Sequence, residues 1–301
     1  MVSDEIMSRP MIECDNLVKI YKTKDIEVLA LQGLDISIEQ GELMAIIGNS
    51  GSGKSTFLNM IGGLDRPSAG RLFVDGKDLF KLNEQELVDY KRKTVGFVWQ
   101  NNARNLLPYL TAWQNIQMPM LFESTAKKKD RALELLDMVG LSHRKNNRLD
   151  QLSGGEQQRI AIAIALANNP KVLLADEPTG AVDAKTAAYI LDMFRDINRN
   201  TGLTIVIVTH DRQLMKKVHR VASIRDGKIS SERLMKQSYR DRLTDISSFM
   251  EEHEVQDEFA VLDRVGRLQI PHEMLEKLQI KDNKVRIELV DGRIIIENPE
   301  N

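Results

Sequence analysis

The chain has 301 residues, a formal net charge of −2 and 29% charged residues, which is ordinary for a folded protein with a sizeable core. Near-neutral charge argues against binding nucleic acid or an anionic bilayer through overall basicity. The single cysteine, Cys14, cannot form an internal disulfide, and the length favours two domains. No apolar run approaches the roughly 18–20 residues of a membrane span, and the N-terminus has no apolar signal core. If the protein serves a membrane, we expect it to act from the cytoplasmic side through a partner.

The N-terminal part predicts a short disordered leader, residues 1–10, followed by β-structure. Residues 11–21 and 34–39 alternate apolar and polar side chains, as half-buried strands do. Tyr21 ends the first of these strands. Its ring has the chemistry to stack on a purine base, and simple packing at a strand end is the alternative that the sequence alone leaves open.

The next stretch has the pattern of a phosphate loop. Residues 43–47 predict a buried strand, and the residues from Phe57 onward predict the first turns of a helix. Between them lies a G-x-x-x-x-G-K-[ST] match in the strand–turn–helix context that the motif requires. Its glycines let backbone N–H groups converge on a phosphate, and the helix N-terminus adds partial positive charge. The loop consists of Gly48, Asn49, Ser50, Gly51, Ser52, Gly53, Lys54, Ser55 and Thr56.

Two side chains of this loop have predicted roles in binding a nucleoside triphosphate. Lys54 is expected to reach the β- and γ-phosphates, and the Ser55 hydroxyl is expected to be a ligand of Mg²⁺. The sequence after the loop alternates helices and strands. Asn83 is a predicted helix N-cap with Glu86 at the capping-box position, and Thr111 is a second predicted N-cap. The predicted elements are a strand at 71–75, a helix at 83–93, a strand at 95–99 that ends in Gln100, and helices at 111–118 and 127–139.

A second predicted anion site opens the helix at 160–167. Ser153 and two glycines precede this helix, so its N-terminus has exposed backbone N–H groups, although an ordinary N-cap would have the same pattern. Residues 172–175 then predict a buried strand that runs directly into Asp176 and Glu177. Acids at the carboxyl edge of a parallel sheet lie where ligands bind. Asp176 there can hold Mg²⁺ through water, and Glu177 can orient or deprotonate the attacking water.

The last elements of the large unit end at the same predicted sheet edge. Asp183 begins a helix to about residue 198, and the apolar strand 204–208 is followed by His210. A histidine at a strand end is often structural, but its position beside the two acids favours a contact with the γ-phosphate or water. Residues 221–224 and a turn at 226–227 predict a closing strand pair. This pattern over residues 11–230 indicates an α/β nucleoside triphosphatase.

Together these motifs resemble those of ABC-type ATPases. The phosphate loop, Gln100, the octet LSGGEQQR at 152–159, the strand ending in Asp176 and Glu177, Asp183 and His210 stand in the order and spacing of that family. The octet is the most specific of these signals, because other phosphate-loop families lack it. The resemblance implies a P-loop fold of ABC type, with a parallel sheet core, an antiparallel β subdomain and an α-helical subdomain.

The resemblance also implies roles for the residues. Tyr21 would stack on adenine, Ser55 and Gln100 would coordinate Mg²⁺ with Asp176 in the outer shell, and Glu177 and His210 would be catalytic base and γ-phosphate sensor. The signature residues would contact ATP held by a second copy, so that a head-to-tail homodimer closes over two ATP molecules. Those that would form this half-site are Ser153, Gly154, Gly155 and Glu156, with Asp183 nearby.

Within the family, the phrases at 58–65, 105–112 and 176–180 resemble the subgroup of macrolide exporters, lipoprotein-release ATPases and cell-division ATPases. The resemblance implies a separate integral-membrane permease and a peripheral location on the cytoplasmic face of the bacterial membrane. Three features depart from the subgroup: a longer segment between Gln100 and Asn105, Ile164 in place of a common arginine, and Gln114 in place of a common glutamate. The first of these lies beside the expected permease contact.

The C-terminal part predicts a second, smaller unit. Residues 231–258 are charge-dense and are expected to be a linker. Residues 259–301 predict two short strands, a helix beginning at Pro271, and a hairpin around Asp291 and Gly292. The phrase RVGRLQIP at 264–271 resembles that of AbrB-like swapped-hairpin domains, which implies a β-rich α+β dimerisation unit. Its acids slightly outnumber its bases, so we expect dimerisation in preference to DNA binding.

The sequence therefore predicts the ATP-hydrolysing subunit of an ABC transporter, with ATP and Mg²⁺ as cofactors. Its expected partners are permease subunits and a second copy of itself, with no nucleic acid. Two alternatives stay open: an ABC ATPase that acts on ribosomes or DNA, and a nucleotide-sensing regulator that uses the C-terminal unit. The sequence does not identify the transported substrate.

Overall fold

The computed structural model describes residues 9–22, 26–100, 105–210, 215, 217–235, 256–262, 266–268, 270, 272–278, 285–290 and 292–297. The chain divides into a large unit, Met1–Glu258, and a small unit, Phe259–Asn301. Most of the expected leader and most of the expected linker lie outside the described residues. In the part of the chain that is described, no helix is both long and apolar enough to cross a membrane.

The large unit has an antiparallel sheet with the strand order β2-β1-β4-β5. Its strands are β1 (Ile12–Lys22), β2 (Glu27–Ile38), β4 (Ala69–Val74) and β5 (Lys77–Asp78). Strand β2 begins earlier than the expected 34–39. Its additional residues pair with the end of β1, and they include the exposed Val28 and Leu29. Pairing with a neighbouring strand, which the local pattern does not report, extends it.

The central sheet has the order β10-β9-β3-β8-β7-β6 among the strands that lie wholly within the large unit. Strands β3 (Leu43–Ile47), β6 (Val95–Val98), β7 (Val172–Asp176), β8 (Thr204–Val208) and β9 (Arg220–Arg225) run parallel to one another. Strands β7 and β8 are buried along their whole length, as parallel strands covered on both faces are. Parallel pairing brings their carboxyl ends to one edge.

Strand β10 (Lys228–Met235) is antiparallel to β9 and corrects one expected boundary. The strand continues into the segment from residue 231 for which we expected a linker. Its last residue, Met235, is buried. The ladder with β9 and this burial stabilise an extended conformation that the charged composition of the segment does not indicate.

The described residues of the large unit include six α-helices, and four of them begin with a capping box or an acidic N-cap. Asn83 and Thr111 are N-caps as predicted, and Ser153 and Asp183 cap the two helices next to the site. Gln114, the departure from a common glutamate, is the reciprocal residue of the Thr111 box, a role that glutamine fills equally well. The helices are α1 (Lys54–Ile61), α2 (Glu84–Lys93), α3 (Ala112–Gln117), α4 (Thr125–Met138), α5 (Gly154–Ala165) and α6 (Ala184–Thr201).

One apolar core joins the helices α3–α6 to the central sheet. It includes Leu135, Ile160, Leu173 and Phe194, all fully or almost fully buried. Ile164, where the family commonly has arginine, is partly buried against this core. The core fixes the sheet, and with it the loops at its carboxyl edge.

The small unit has a short helix and a hairpin. Strand β11 (Gln256–Ala260) crosses the division between the units, Leu262 forms an isolated antiparallel bridge with Leu268, and α7 spans His272–Lys277. Strands β12 (Arg286–Val290) and β13 (Arg293–Glu297) pair around Gly292, which has a φ of +74°. The hairpin agrees with the Asp-Gly signal. Pro271, the expected first residue of the helix, lies outside the described residues.

Candidate active site

The phosphate loop connects the end of β3 to the start of α1. Gly48 has a φ of +151°, and a Cβ there would lie 2.2 Å from the carbonyl oxygen of Ile224, so only glycine fits. Gly51 has a φ of +78° and nothing within 4 Å of the place of a Cβ, which leaves its backbone open on the outer side. The N-cap of α1 is Gly53, and no side chain caps the first N–H groups of this helix. The loop therefore presents backbone donors to an anion.

Lys54 places its ammonium group at the mouth of this loop. Its Nζ donates hydrogen bonds to the carbonyl oxygens of Gly48 and Asn49, both at 2.8 Å. These contacts hold a positive charge beside the open backbone N–H groups. A glycine cradle, an uncapped helix and a lysine together fit the phosphates of a nucleotide.

Ser55 and Asp176 bring oxygen ligands together from positions far apart in the sequence. The Ser55 hydroxyl donates to Asp176 Oδ1 at 3.2 Å, and Asp176 is buried at the end of β7. A hydroxyl and a carboxylate are the hard donors that Mg²⁺ prefers. Among the described residues there is no group of three or more His, Cys, Asp and Glu side chains that could hold a metal. The donor set therefore fits an ion whose remaining ligands are phosphate oxygens and water.

Glu177 and His210 form a pair beside these ligands. Glu177 Oε2 lies 2.9 Å from His210 Nδ1, and the histidine is largely exposed whereas the glutamate is not. The backbone of Glu177 has a φ of +47°, which is uncommon for a residue with a side chain, and its N–H donates to the carbonyl of Val208 at 2.9 Å. An uncommon backbone conformation of this kind, fixed by a hydrogen bond, is typical of functional sites. The carboxylate can accept a proton from water, and the imidazole orients it.

Gln100 follows β6, the strand next to β7, and its side chain is exposed. It therefore lies after a strand that ends at the same sheet edge as Asp176. Among the described residues, no hydrogen bond joins Gln100 to Ser55. The structure thus gives the position of Gln100 at the sheet edge, and the contact of its side chain with Mg²⁺ stays a prediction.

The signature residues open α5 and pack against the start of α6. Ser153 accepts a hydrogen bond from the N–H of Glu156, whose carboxylate accepts from the Ser153 N–H at 2.8 Å and from Arg144 Nε at 3.0 Å. The backbone N–H of Ser153, and then its hydroxyl and the Arg144 charge, lower the pKa of Glu156 against the opposing effect of burial. The signature turn is therefore held by these hydrogen bonds, and the charge of its Glu156 carboxylate is paired with Arg144.

Gly155 brings the signature turn close to α6. A Cβ on Gly155 would lie 2.4 Å from Thr186 Cγ2, so glycine is required there for packing. Asp183 caps α6 by accepting from the Lys185 and Thr186 N–H groups at 3.0 Å, and the hydroxyl of Thr186 lowers the pKa of its carboxyl group. In the described part of the chain, no hydrogen bond or ion pair connects residues 153–156 to the loop 48–56.

Tyr21 is the penultimate residue of β1. Its ring is partly exposed, and its hydroxyl group is hydrogen-bonded. The hydroxyl donates to Asp65 Oδ2 at 2.8 Å, and the Nζ of Lys19 lies 4.7 Å from the centre of the ring. Burial, and then the bond to Asp65, raise the pKa of Tyr21. Sequence reasoning did not include Asp65 or Lys19 in the site. Lys19 and Tyr21 are two residues apart in β1, on either side of a register shift, and no local signal links them to a loop more than forty residues later.

Comparison with known proteins places these features in a family. A sequence model of the family described as ABC transporter matches residues 31–180. Among solved structures, the dimeric structure of MJ0796, a bacterial ABC transporter cassette, is 42% identical with a TM-score of 0.69. The match covers 74% of this chain and 97% of that chain.

Two further structures are similar over the same share of this chain. A dimeric MJ0796 in a post-hydrolysis state, bound to ADP and Pi, is 41% identical with a TM-score of 0.68 and 97% of that chain covered. The cbiO1 protein from Clostridium perfringens, part of the ABC transporter complex cbiONQ, is 27% identical with a TM-score of 0.67 and 87% of that chain covered.

Proposed function

Because the chain belongs to the family of ABC transporter ATP-binding cassettes, which bind ATP with Mg²⁺ and hydrolyse it, we propose that it is the nucleotide-binding subunit of a transporter. In this proposal the permease is a separate integral-membrane protein, and the cassette works at the cytoplasmic face of a bacterial membrane. The observation that carries the proposal is the convergence of Lys54, Ser55, Asp176 and Glu177 at one sheet edge. The substrate of transport is not part of the proposal.

The phosphate end of the proposed site uses residues from three parallel strands. Lys54 would exchange its bonds with the loop carbonyls for bonds with the β- and γ-phosphates. Ser55 and Gln100 would hold Mg²⁺, with Asp176 in the outer shell, and the ion would supply positive charge to stabilise the phosphates during transfer. The N–H groups of the glycine-rich loop would donate to the phosphate oxygens, because Gly48, Gly51 and Gly53 already have the positive φ values that let the backbone turn around an anion.

Glu177 is proposed as the catalytic base and His210 as the residue that positions it. The carboxylate takes a proton from the attacking water, which must lie within hydrogen-bond reach of both the carboxylate and the γ-phosphate. Its 2.9 Å contact with His210 Nδ1 fixes the side chain, and the backbone bond to Val208 fixes the main chain. His210 is also proposed to contact the γ-phosphate and so to act as its sensor.

A second copy completes each site in the proposed mechanism. The cassette dimerises, as the MJ0796 cassettes do. The signature turn of one copy, with Ser153, Gly154, Gly155 and Glu156, closes over the ATP bound to the phosphate loop of the other, and Asp183 lies beside this contact. Support comes from the exposed turn at the N-terminus of α5, which a capping box holds in place and which, among the described residues, has no hydrogen bond to its own phosphate loop.

Coupling to a permease is supported by the family and by one relative in particular. The cbiO1 protein is part of a transporter complex, and its cassette has the same fold. The phrases at 58–65, 105–112 and 176–180 favour the subgroup of macrolide exporters, lipoprotein-release ATPases and cell-division ATPases. In this proposal ATP-driven closure of the cassettes moves the permease, either for export or for mechanical signalling.

The small unit is proposed to be an AbrB-like dimerisation domain, joined by a linker to a cassette that extends to the end of β10. Cross-strand pairs place Ile287, Leu289, Ile294 and Ile296 on one face of the hairpin. The exposed fractions of the first three are 64%, 76% and 72%. Four aliphatic side chains on one exposed hairpin face are unfavourable in water, and a second copy of the same hairpin would cover them.

Substitution of Glu177 by Gln tests the catalytic assignment. The amide keeps the size of the side chain but cannot take a proton, so we expect hydrolysis to fall by about 10²–10⁴-fold while ATP-dependent dimers accumulate. The exposed Glu123, on the loop before α4, provides the matched control Glu123→Gln, which should hydrolyse ATP like the parent. Parent-like hydrolysis by Glu177→Gln would show that the base is another group.

Purification from membranes tests the partner. We expect the Glu177→Gln variant, held in its ATP state, to retain a polytopic membrane protein through detergent extraction. Recovery of ribosomes or duplex DNA in its place would reject the transporter in favour of the two alternatives.

A further inference from the structure

We infer that Asp65 is a positioning residue for the nucleotide base, because it fixes the ring of Tyr21 in place from the loop that follows the phosphate-binding helix. The inference rests on the proposed function, in which Tyr21 stacks on adenine. A tyrosine at a strand end that is 39% exposed would ordinarily have a mobile ring. Here three separate contacts remove that freedom.

The first contact is the hydrogen bond from the Tyr21 hydroxyl to Asp65 Oδ2 at 2.8 Å. The carboxylate is itself held, since its Oδ1 accepts from Lys19 Nζ at 2.6 Å and from the Arg66 N–H at 2.8 Å. Burial opposes the charge of this carboxylate, but the bonds from Lys19, Tyr21 and Arg66 outweigh it and lower the pKa of Asp65. Asp65 is therefore a charged, immobile acceptor.

The second contact covers one side of the ring. Lys19 is almost buried, donates to the Arg66 carbonyl at 2.8 Å and has its Nζ 4.7 Å from the ring centre. With this face occupied by a cation, a base has only the other face on which to stack. The exposed Val28, opposite Tyr21 in the ladder between β1 and β2, adds apolar surface beside it.

The third contact ties the ring to the phosphate loop. Asp65 follows α1 by a tight turn in which the carbonyl of Asn59 accepts from the N–H groups of Leu64 and Asp65, at 2.8 Å and 3.3 Å. Thr56, in the first turn of α1, has its side chain close enough to the Tyr21 hydroxyl to lower the pKa of Tyr21 against the effects of burial and Asp65. The platform for the base is thus fixed relative to the cradle for the phosphates. A preorganised platform binds more tightly because less freedom is lost on binding.

The prediction is a loss of affinity that depends on the base. Stacking of a base on an aromatic ring corresponds to about a 5- to 150-fold effect, so Tyr21→Ala should weaken Mg-ATP binding by that order. Asp65→Ala leaves the ring but frees it, so we expect a smaller loss, about three- to tenfold, and a larger rise in KM than fall in kcat. Neither variant should change binding of Mg-tripolyphosphate, which has no base. Tyr21→Phe removes the same hydrogen bond from the other end and should behave like Asp65→Ala.

Asp192→Ala is the matched control, because it removes an equally close ion pair, to Lys217 at 2.8 Å, from helix α6. It should leave the Kd for Mg-ATP and for Mg-tripolyphosphate unchanged. The measurement is displacement of a fluorescent ATP analogue from the full chain by each ligand. A selective loss for Mg-ATP in both Asp65→Ala and Tyr21→Phe supports the inference.

Three other results would overturn it in distinguishable ways. Equal weakening of both ligands in Asp65→Ala means that the residue only holds the fold of its loop. A selective effect in Tyr21→Ala with none in Asp65→Ala or Tyr21→Phe rejects the positioning role and leaves the proposed function intact. No selective effect in Tyr21→Ala rejects adenine stacking on Tyr21, and the inference with it.

Discussion

The hairpin of the small unit gives the most direct prediction about assembly. Full burial of a leucine or isoleucine side chain contributes about 1.5–3 kcal/mol. Leu289 is 76% exposed, so covering it in a dimer should contribute about 1–2 kcal/mol in each copy. Leu289→Lys removes this contribution from both copies. The dimer should then weaken by about 30- to 1,000-fold.

Sedimentation velocity of the full chain without nucleotide measures this effect over a range of protein concentrations. Glu288→Lys is the control, because Glu288 lies on the same strand but faces the other side of the hairpin, opposite Ile295. We expect the parent and the control to be dimeric and Leu289→Lys to be largely monomeric. With Glu177→Gln and Mg-ATP added, Leu289→Lys should still form dimers through the cassettes. A nucleotide-free parent that is monomeric, or a Leu289→Lys variant as dimeric as the control, would refute the proposed role of the hairpin.

Two further predictions concern the signature turn. Because the pKa of Glu156 is lowered in the folded state, the stability that it contributes is complete above its ordinary pKa of about 4.3 and is lost as the pH falls through the lower folded value. Glu156→Gln should therefore lower the melting temperature at pH 7 and have little effect near pH 3; an equal effect at both pH values would contradict the assignment. Gly155→Ala places a methyl group 2.4 Å from Thr186 Cγ2, and overpacking of about 1–3 kcal/mol should reduce ATP-dependent dimers. Thr186→Ser removes the opposing methyl and should restore them in the double variant, and absence of rescue would show that the defect has another cause.

Local sequence predicted the features of the fold that depend on neighbouring residues. Asn83 with Glu86 and Thr111 with Gln114 form capping boxes within one turn of helix, so residues three apart suffice to predict them. The glycine-rich phosphate loop and the Asp-Gly hairpin can likewise be predicted from a few adjacent residues. Strand β10 shows the limit of this reasoning, because residues 231–235, which include the charged Glu232 and Arg233, are extended in a ladder with β9 that the local sequence does not indicate.

The site shows the same division in its chemistry. The sequence identified Ser55, Asp176, Glu177 and His210 as candidates from their places at strand and helix ends. It did not indicate the positive φ of Glu177, nor the Lys19, Tyr21 and Asp65 cluster, since both depend on what lies opposite in space.

The sequence by itself therefore determined which short segments begin helices, turn hairpins and have the pattern of a phosphate-binding loop, because steric and hydrogen-bonding preferences of adjacent residues decide those. The tertiary structure alone decided which of these segments meet. Ser55 and Asp176 are 121 residues apart in the sequence. They touch because β3 and β7 have the single strand β8 between them in the sheet, and no local pattern encodes this strand order. Strand order follows from burying the apolar faces of all strands and helices at once, so it belongs to the whole chain.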